Sequence, residues 1–341
     1  MNITTIGFDI AKGVIQIHGV DGSGAVAVRK RLSRAGALTF FERLSPCLVG
    51  MEACGGAHHW ARELVKFGHT VRLISPLYVK PYVKRSKTDA ADAAAICEAV
   101  GRPHMRFVPV KSREAQALAQ AYKTRGLLVA QRTALINALR AHLTEFGVVA
   151  PLGPAGAARL IGLVRGEDGP LPELARQTLV DLADMIETTH ASVAAFDARL
   201  KRLAAQDEAS RRLMKIPGVG PVAAGTIRAL AGDLTRFSKG RDFAAWLGLT
   251  PRQNSSGDKV RIGAITKAGN RELRTLLVMG QLAVLRHALA APAKASPWLA
   301  GMIKRRPRLV VAVAMAAKAA RVIWAMLARN EDYRPRCAMA A

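Results

Sequence analysis

The sequence predicts a mixed α/β domain at its amino-terminal end followed by a longer all-α part, and three observations carry that prediction. Up to residue 108, short apolar runs alternate with glycine-marked turns; from Ser112 onward, apolar residues recur at spacings of three and four; and Gly/Pro-rich stretches punctuate the helical part. A chain of 341 residues has room for two or three domains, each with a buried core. The expected division is an α/β domain over 1–108, a helical coiled-coil region over 109–208 and a mainly helical domain over 209–341.

The first elements read as a three-strand meander: Ile3 to Ile10 with an acid near its end, Val14 to Val20 after Gly13, and Ala25 to Lys30 after the turn Asp21-Gly22-Ser23-Gly24. A short helix near Leu38 to Leu44 precedes another apolar run, Cys47 to Glu52, which again ends in an acid. Trp60 to Phe67 reads as a helix and Thr70 to Ile74 as a strand. Asp89 to Val100 reads as an alanine-rich helix capped by Thr88. Asp89 and Asp92 are three apart and share a helix face. Any one of these acids is explained as a cap or a solvated side chain. Asp9, Glu52, Asp89 and Asp92 in this strand-and-helix order fit a ribonuclease-H-like mixed sheet whose carboxylates converge. Such a quartet suits Mg2+, a hard ion that takes few protein carboxylates and leaves positions for phosphate oxygens.

Composition points to a polyanionic partner. The chain carries 51 Lys+Arg against 25 Asp+Glu, a formal net charge of +26, beyond what solubility requires. Backbone phosphates are the simplest counter-charge. Basic residues concentrate at Arg29 to Arg34, Lys80 to Lys87 and Lys304 to Arg308. An anionic membrane surface would attract the same charge, but the apolar run Leu309 to Ala317 stops at Lys318, short of the ~20 residues of a spanning helix. No signal-peptide pattern opens the chain, because Asp9 interrupts it. Cys47, Cys54, Cys97 and Cys337 show no metal or disulfide spacing, so reduced thiols in a soluble cytoplasmic protein are expected. His58, His59 and Glu63 lack the further ligand a zinc site needs and read as a polar helix start.

Ser112 to Phe146 is helical in pattern. After a break from Gly147, with Gly and Pro continuing to Pro172, Leu179, Leu182, Ile186, Thr189, Val193, Phe196, Leu200 and Leu203 form a coiled-coil seam. That seam closes either within one chain, as a helical hairpin, or between protomers. Ile216-Pro217-Gly218-Val219-Gly220 then runs into a helical Val222 to Leu230. It reads either as a helix-hairpin-helix element, with Gly218 and Gly220 turning backbone N–H groups toward a phosphate, or as a tight helix connection. Beyond it, Ser255 and Ser256 lie among Arg252, Lys259, Arg261, Lys267, Arg271 and Arg274, the chemistry of a phosphate-facing loop. A serine hydroxyl is a weak nucleophile until something activates it, so both serines read first as phosphate contacts.

Taken together, Ile6-Gly7-Phe8-Asp9-Ile10-Ala11-Lys12, Met51-Glu52-Ala53-Cys54-Gly55, Lys87-Thr88-Asp89-Ala90-Ala91-Asp92-Ala93, Ile216-Pro217-Gly218-Val219-Gly220, and Ser256-Gly257 with Ile265-Thr266-Lys267-Ala268-Gly269-Asn270 resemble the DEDD transposases of the insertion-sequence-110 family, most of all its 1111-type subgroup. These are the bridge-RNA-guided recombinases. The resemblance spans nearly the whole chain. It implies a RuvC-like domain with Mg2+ at Asp9, Glu52, Asp89 and Asp92, a coiled-coil region, and a carboxy-terminal transposase domain with Ser256 as nucleophile. It further implies DNA partners at element ends and target, a noncoding bridge RNA, a homo-oligomer, and a bacterial cytoplasmic setting, nucleoid-associated when bound to DNA. Two other classes use the same residues: a Mg2+-dependent hydrolytic nuclease resembling a Holliday-junction resolvase, and a non-catalytic nucleic-acid-binding protein. The intact quartet argues against the last, because clustered negative charge beside phosphates gains a pure binder nothing.

Overall fold

A computed structural model describes residues 2–84, 88–166 and 171–334. Lys87 and Cys337 lie outside the described residues, as do Arg85 and Ser86 of the second basic cluster. The chain divides into two compact units, 1–114 and 115–341.

The first unit is built on a six-stranded mixed sheet in the order β3-β2-β1-β4-β5-β6. β1 (Ile3–Ile10), β2 (Val14–Asp21) and β3 (Val26–Ser33) form the antiparallel meander. β4 (Leu48–Glu52) and β5 (Thr70–Ile74) then add in parallel, and β6 (Phe107–Val108) closes the edge antiparallel to β5. Alternation sorts the two faces. Ile6, Phe8, Ile15 and Ile17 pack toward α1 (Arg34–Glu42) and α2 (Ala57–Lys66), where Phe8 lies 5.6 Å from Phe41 and 5.3 Å from Trp60, centroid to centroid. α1 begins four residues earlier than the apolar pattern suggests, because the Ser33 hydroxyl accepts from Gly36 N and caps it. After α3 (Pro76–Val79), α4 (Asp89–Val100) covers the opposite face.

α4 lies unusually close to the sheet, and two glycines permit it. A Cβ on Gly7 would sit 2.0 Å from Ala93 O, and one on Gly50 would sit 2.7 Å from Val100 Cβ. Gly7 and Gly50 are register partners in the parallel β1–β4 pair, so together they form a flat saddle for the helix. Two residues further along each strand, on the same face, come Asp9 and Glu52.

The second unit opens with α5 (Arg113–Thr144), α6 (Pro154–Arg165) and α7 (Glu173–Gln206). α5 and α7 run antiparallel, as Arg125 pairs with Asp197 at 2.8 Å and Arg132 Nη1 lies 3.3 Å from His190 Nδ1. Of the seam residues, Leu179, Ile186, Val193 and Leu200 are buried within this unit, and Leu179 and Ile186 pack with Leu139 and Leu143 of α5. Leu203 is 40% exposed, and Ala204 takes the buried place at that end. α6 lies in the stretch that reads as a Gly/Pro break. Pro154 sits at its first turn, where its missing N–H costs nothing, and Leu160 and Val164 complete the cluster with α5.

α8 (Glu208–Leu213), α9 (Pro221–Ala231), α10 (Gly240–Trp246), α11 (Arg271–Ala290), α12 (Pro297–Arg305) and α13 (Arg308–Ala328) follow, with a hairpin of β7 (Pro251–Gln253) and β8 (Ile262–Ile265) before α11. The segment read as a phosphate-facing loop is thus carried on a two-stranded hairpin. The expectation that the last apolar run stops at Lys318 is also corrected. α13 continues through Lys318 to Ala328, and both it and α11 are long and apolar enough to cross a membrane by length and composition. Their apolarity has a core explanation: Leu273, Leu277, Ala316, Ala320, Ile323 and Trp324 pack in the main cluster of the unit. Lys318 stays at the surface, its ammonium 4.5 Å from the Trp298 ring centroid.

Candidate nucleic-acid site

β1 and β4 end side by side, Phe8 opposite Met51, which puts Asp9 and Glu52 on neighbouring strands. α4 begins over these strand ends, with the Thr88 hydroxyl accepting from Ala91 N at 3.2 Å, so Asp89 and Asp92 occupy its first turn. The charges of the other three acids reach Asp9: its carboxyl is pushed up to about 6, chiefly by burial, then by the charges of Asp92, Asp89 and Glu52. The thiol of Cys54 is likewise held up by burial and by Glu52 and Asp9, so it stays protonated beside them. The available donors are therefore carboxylate oxygens, the donor type that suits a hard divalent cation. No three His, Cys, Asp or Glu side chains among the described residues are already gathered tightly enough to hold a metal.

Sequence reasoning missed the other side of this face. Gln16 is the register partner of Asp9, His18 of Gly7, and Arg29 of His18. Gln16, His18 and Arg29, with Ala90, Ala91 and Ala94 of α4, line a groove of about 270 Å³ beside the acids. Burial and the Arg29 charge hold the His18 imidazole below its usual range. The available signal was phase: Gln16 and His18 are polar on the alternate positions of a strand whose Ile15 and Ile17 are core.

In the second unit the serine hairpin is anchored at its base and exposed at its tip. A Cβ on Gly248 would meet Ala268 N at 2.6 Å and one on Gly269 would meet Trp246 O at 1.7 Å, so the two arms interlock. Arg274 Nη1 donates to Leu247 O at 3.0 Å and Arg252 Nη2 to Thr266 O at 3.3 Å, which ties both cations to the base. At the tip, Ser256 and Lys259 pair backbone to backbone around Gly257 and Asp258. A two-residue hairpin loop needs a positive φ, and Gly257 supplies it at 55°. The two serines differ in their bonding. The Ser255 hydroxyl accepts from Gln253 Nε2 at 3.3 Å and from Arg261 N at 3.2 Å, whereas Ser256 meets Lys259 through its backbone. Arg252, Lys259, Arg261, Lys267 and Arg271 are all exposed around this hairpin.

The glycine turn before α9 has mixed geometry. Gly218, at φ 82°, packs on α11, where an added Cβ would meet Gly280 O at 2.7 Å; Gln281 Nε2 donates to Pro217 O at 2.7 Å. Gly220 at the start of α9 is exposed, with nothing within 4 Å of an added Cβ. The polar start of α2 around His59 is a surface cluster, with Glu63 paired to Lys66 at 2.7 Å.

A mixed-sheet unit with coupled carboxylates, joined to a helical unit with a basic hairpin, is the build of a polynucleotide-processing protein. Residues 210–296 match the family described as "Transposase IS116/IS110/IS902 family", and residues 6–148 match the IS110 DEDD family described as "Transposase". Among relatives, the chain is 49% identical to a "probable family 20 transposase" of Pseudomonas aeruginosa, covering 98% of this chain and 100% of that one. It is 40% identical to the transposase for insertion sequence element IS1111A of Coxiella burnetii, covering 98% and 92%, and 37% identical to that for IS1328 of Yersinia enterocolitica, covering 95% and 96%. The chain belongs to the IS110 family of DEDD transposases.

Proposed function

We propose that this insertion-sequence transposase cuts and rejoins DNA through a phosphoserine, with Asp9, Glu52, Asp89 and Asp92 as the Mg2+ ligands and Ser256 as the nucleophile. The observation that carries the metal reading is at Asp9: burial first, and then the charges of Asp92, Asp89 and Glu52, oppose its ionisation, and a divalent cation removes that cost. When bound there, Mg2+ supplies charge stabilisation to the phosphate oxygens in the transition state.

Ser256 Oγ attacks the phosphorus and gives up its proton, a serine–phosphate bond forms as a strand P–O bond breaks, and the departing sugar oxygen takes up one proton to become a hydroxyl. In the second half a hydroxyl of the joining strand attacks the same phosphorus and Ser256 Oγ leaves. No water is consumed, and bond energy is conserved. The hairpin supports Ser256 over Ser255, whose hydroxyl is already engaged by Gln253 and Arg261. Arg252, Lys259, Arg261, Lys267, Arg271 and Arg274, with Gly218 and Gly220, form the proposed nucleic-acid contacts; among these, Gly220 offers the open backbone and Gly218 acts by shaping the turn. A structured noncoding bridge RNA, assembly as a homo-oligomer, the three-part division at 108 and 208, and a cytoplasmic setting complete the reading.

The test is metal-specific. Asp92→Asn is expected to abolish strand cleavage while DNA affinity stays within about threefold of wild type, since one acid is lost and the basic surface is untouched. Full cleavage by the variant, or by wild type in excess chelator, would remove the quartet from the mechanism.

A further inference from the structure

The second unit carries a convergence of cations that the serine hairpin does not include. Gly240 opens α10 directly against α13: a Cβ there would lie 3.0 Å from Arg321 Cα and 3.1 Å from its carbonyl oxygen. This approach brings Lys239 and Arg241, which flank Gly240, beside Arg321. With Trp324, Ala325 and Arg329 they line a pocket of about 310 Å³.

The pocket is held by its own framework. Trp324, 7% exposed, donates its Nε1–H to Phe237 O at 3.0 Å and fixes α13 to the chain entering α10. The Arg329 guanidinium lies 4.9 Å from the Trp324 ring centroid and 3.7 Å from Glu331 Oε1. Lys239, Arg241 and Arg321 are exposed and make no ion pair among the described residues. Asp242, the nearest acid in sequence, is engaged by the Ser238 hydroxyl at 2.6 Å. Like charges gathered on one concavity repel, and an anion in it reverses the sign of that interaction.

We propose that this pocket grips a backbone phosphate of nucleic acid, as an anchoring point on the second unit separate from the serine hairpin. The identity of the polyanion rests on the transposase reading; the pocket rests on its own geometry. Arg329 occupies the face of Trp324, so no base stacks there, and the contact reads backbone and not sequence. DNA and RNA share this chemistry, and the two arms of the test separate them.

The experiment measures full-length protein binding to a DNA duplex and to an RNA hairpin between 50 and 200 mM salt. Lys239→Gln with Arg321→Gln is compared with wild type and with a charge-matched control on the exposed face of α7, Lys201→Gln with Arg202→Gln. Each phosphate contact contributes about 0.9 to the slope of log affinity against log salt on duplex. The pocket variant is therefore expected to flatten that slope by about 0.9, with at least a tenfold loss of affinity at 100 mM salt and an unchanged melting temperature. Flattening on one arm alone assigns the phosphate to that nucleic acid. If the double variant melts early, Lys239→Gln with Arg241→Gln, which leaves α13 intact, is expected to give the same flattening. Equal losses in pocket and control variants, or an unchanged slope against a steep wild type, would overturn the pocket and leave the transposase reading standing. A flat slope in wild type would overturn both.

Discussion

At Asp9 and at the paired serines, the proposed chemistry rests on single side chains. The Asp9 carboxyl titrates at about 6 where an ordinary one titrates at 3.8. Between those values the folded chain keeps a proton that the unfolded chain has released, so stability falls as pH rises through that window. Above it, ionised Asp9 is a standing cost on the order of 1–3 kcal/mol, discounted for its partial exposure. Asp9→Asn is therefore expected to melt higher than wild type at pH 7.5 in chelator, with the gap closing toward pH 4, and to lose cleavage; an unchanged melting temperature at pH 7.5 contradicts the coupling. Ser255 has a different prospect. Ser255→Ala removes an acceptor for Gln253 and Arg261 and is expected to cost the exposed hairpin about 0.5–1.5 kcal/mol of local order while cleavage survives. Cleavage lost with Ser255→Ala and kept with Ser256→Ala would exchange their roles. The order of Ser256 and Gly257 is legible in the sequence, but its cause is not: only the hairpin explains why a residue tolerant of positive φ follows the serine.

Among the elements, α4 on its glycine saddle positions the quartet. Gly7→Ala would drive a methyl into Ala93 O, an overpacking that typically costs 1–3 kcal/mol and here also lifts Asp92 away from Asp9. Melting and cleavage are expected to fall together in this variant; a fully active, fully stable Gly7→Ala protein would mean that α4 does not hold the acids. The seam of α7 is legible as a repeat, and its partner is found inside the chain. Ile186→Ala is accordingly expected to destabilise by about 2–5 kcal/mol as a core truncation, with an unchanged assembled mass in light scattering; a smaller assembly at unchanged stability would place the seam between protomers. The strands and α4 were legible because short apolar runs and a capping Thr88 act locally. α6 was not, because Gly and Pro read as a break until Leu160 and Val164 are seen to pack against α5. Nor was the pairing of β7 with β8, because both strands are short and exposed residues run from Pro251 to Gln253 and from Ile262 to Ala264 with no alternation.

Over the whole molecule, the net charge favours a polyanionic partner. With a net charge of +26, affinity for nucleic acid is expected to fall roughly a thousandfold or more between 50 and 200 mM salt, if six or more phosphates are engaged. A nearly flat titration would remove nucleic acid as the main partner. The charge is legible as a sum, whereas its convergence on the pocket of Lys239, Arg241, Arg321 and Arg329 is not, because 80 residues separate Arg241 from Arg321 and only the contact at Gly240 joins them. The central claim is that serine, and not water, takes the phosphate. The most direct measurement is trapping on a nicked DNA substrate with Mg2+, followed by denaturing electrophoresis and peptide mapping. A covalent protein–DNA adduct on the peptide carrying Ser256 is expected, absent in Ser256→Ala together with all recombined product. Cleavage without any adduct, slowed in Ser256→Ala only by the worth of one charged hydrogen bond, on the order of 1.5–3 kcal/mol, would contradict it and leave a hydrolytic nuclease.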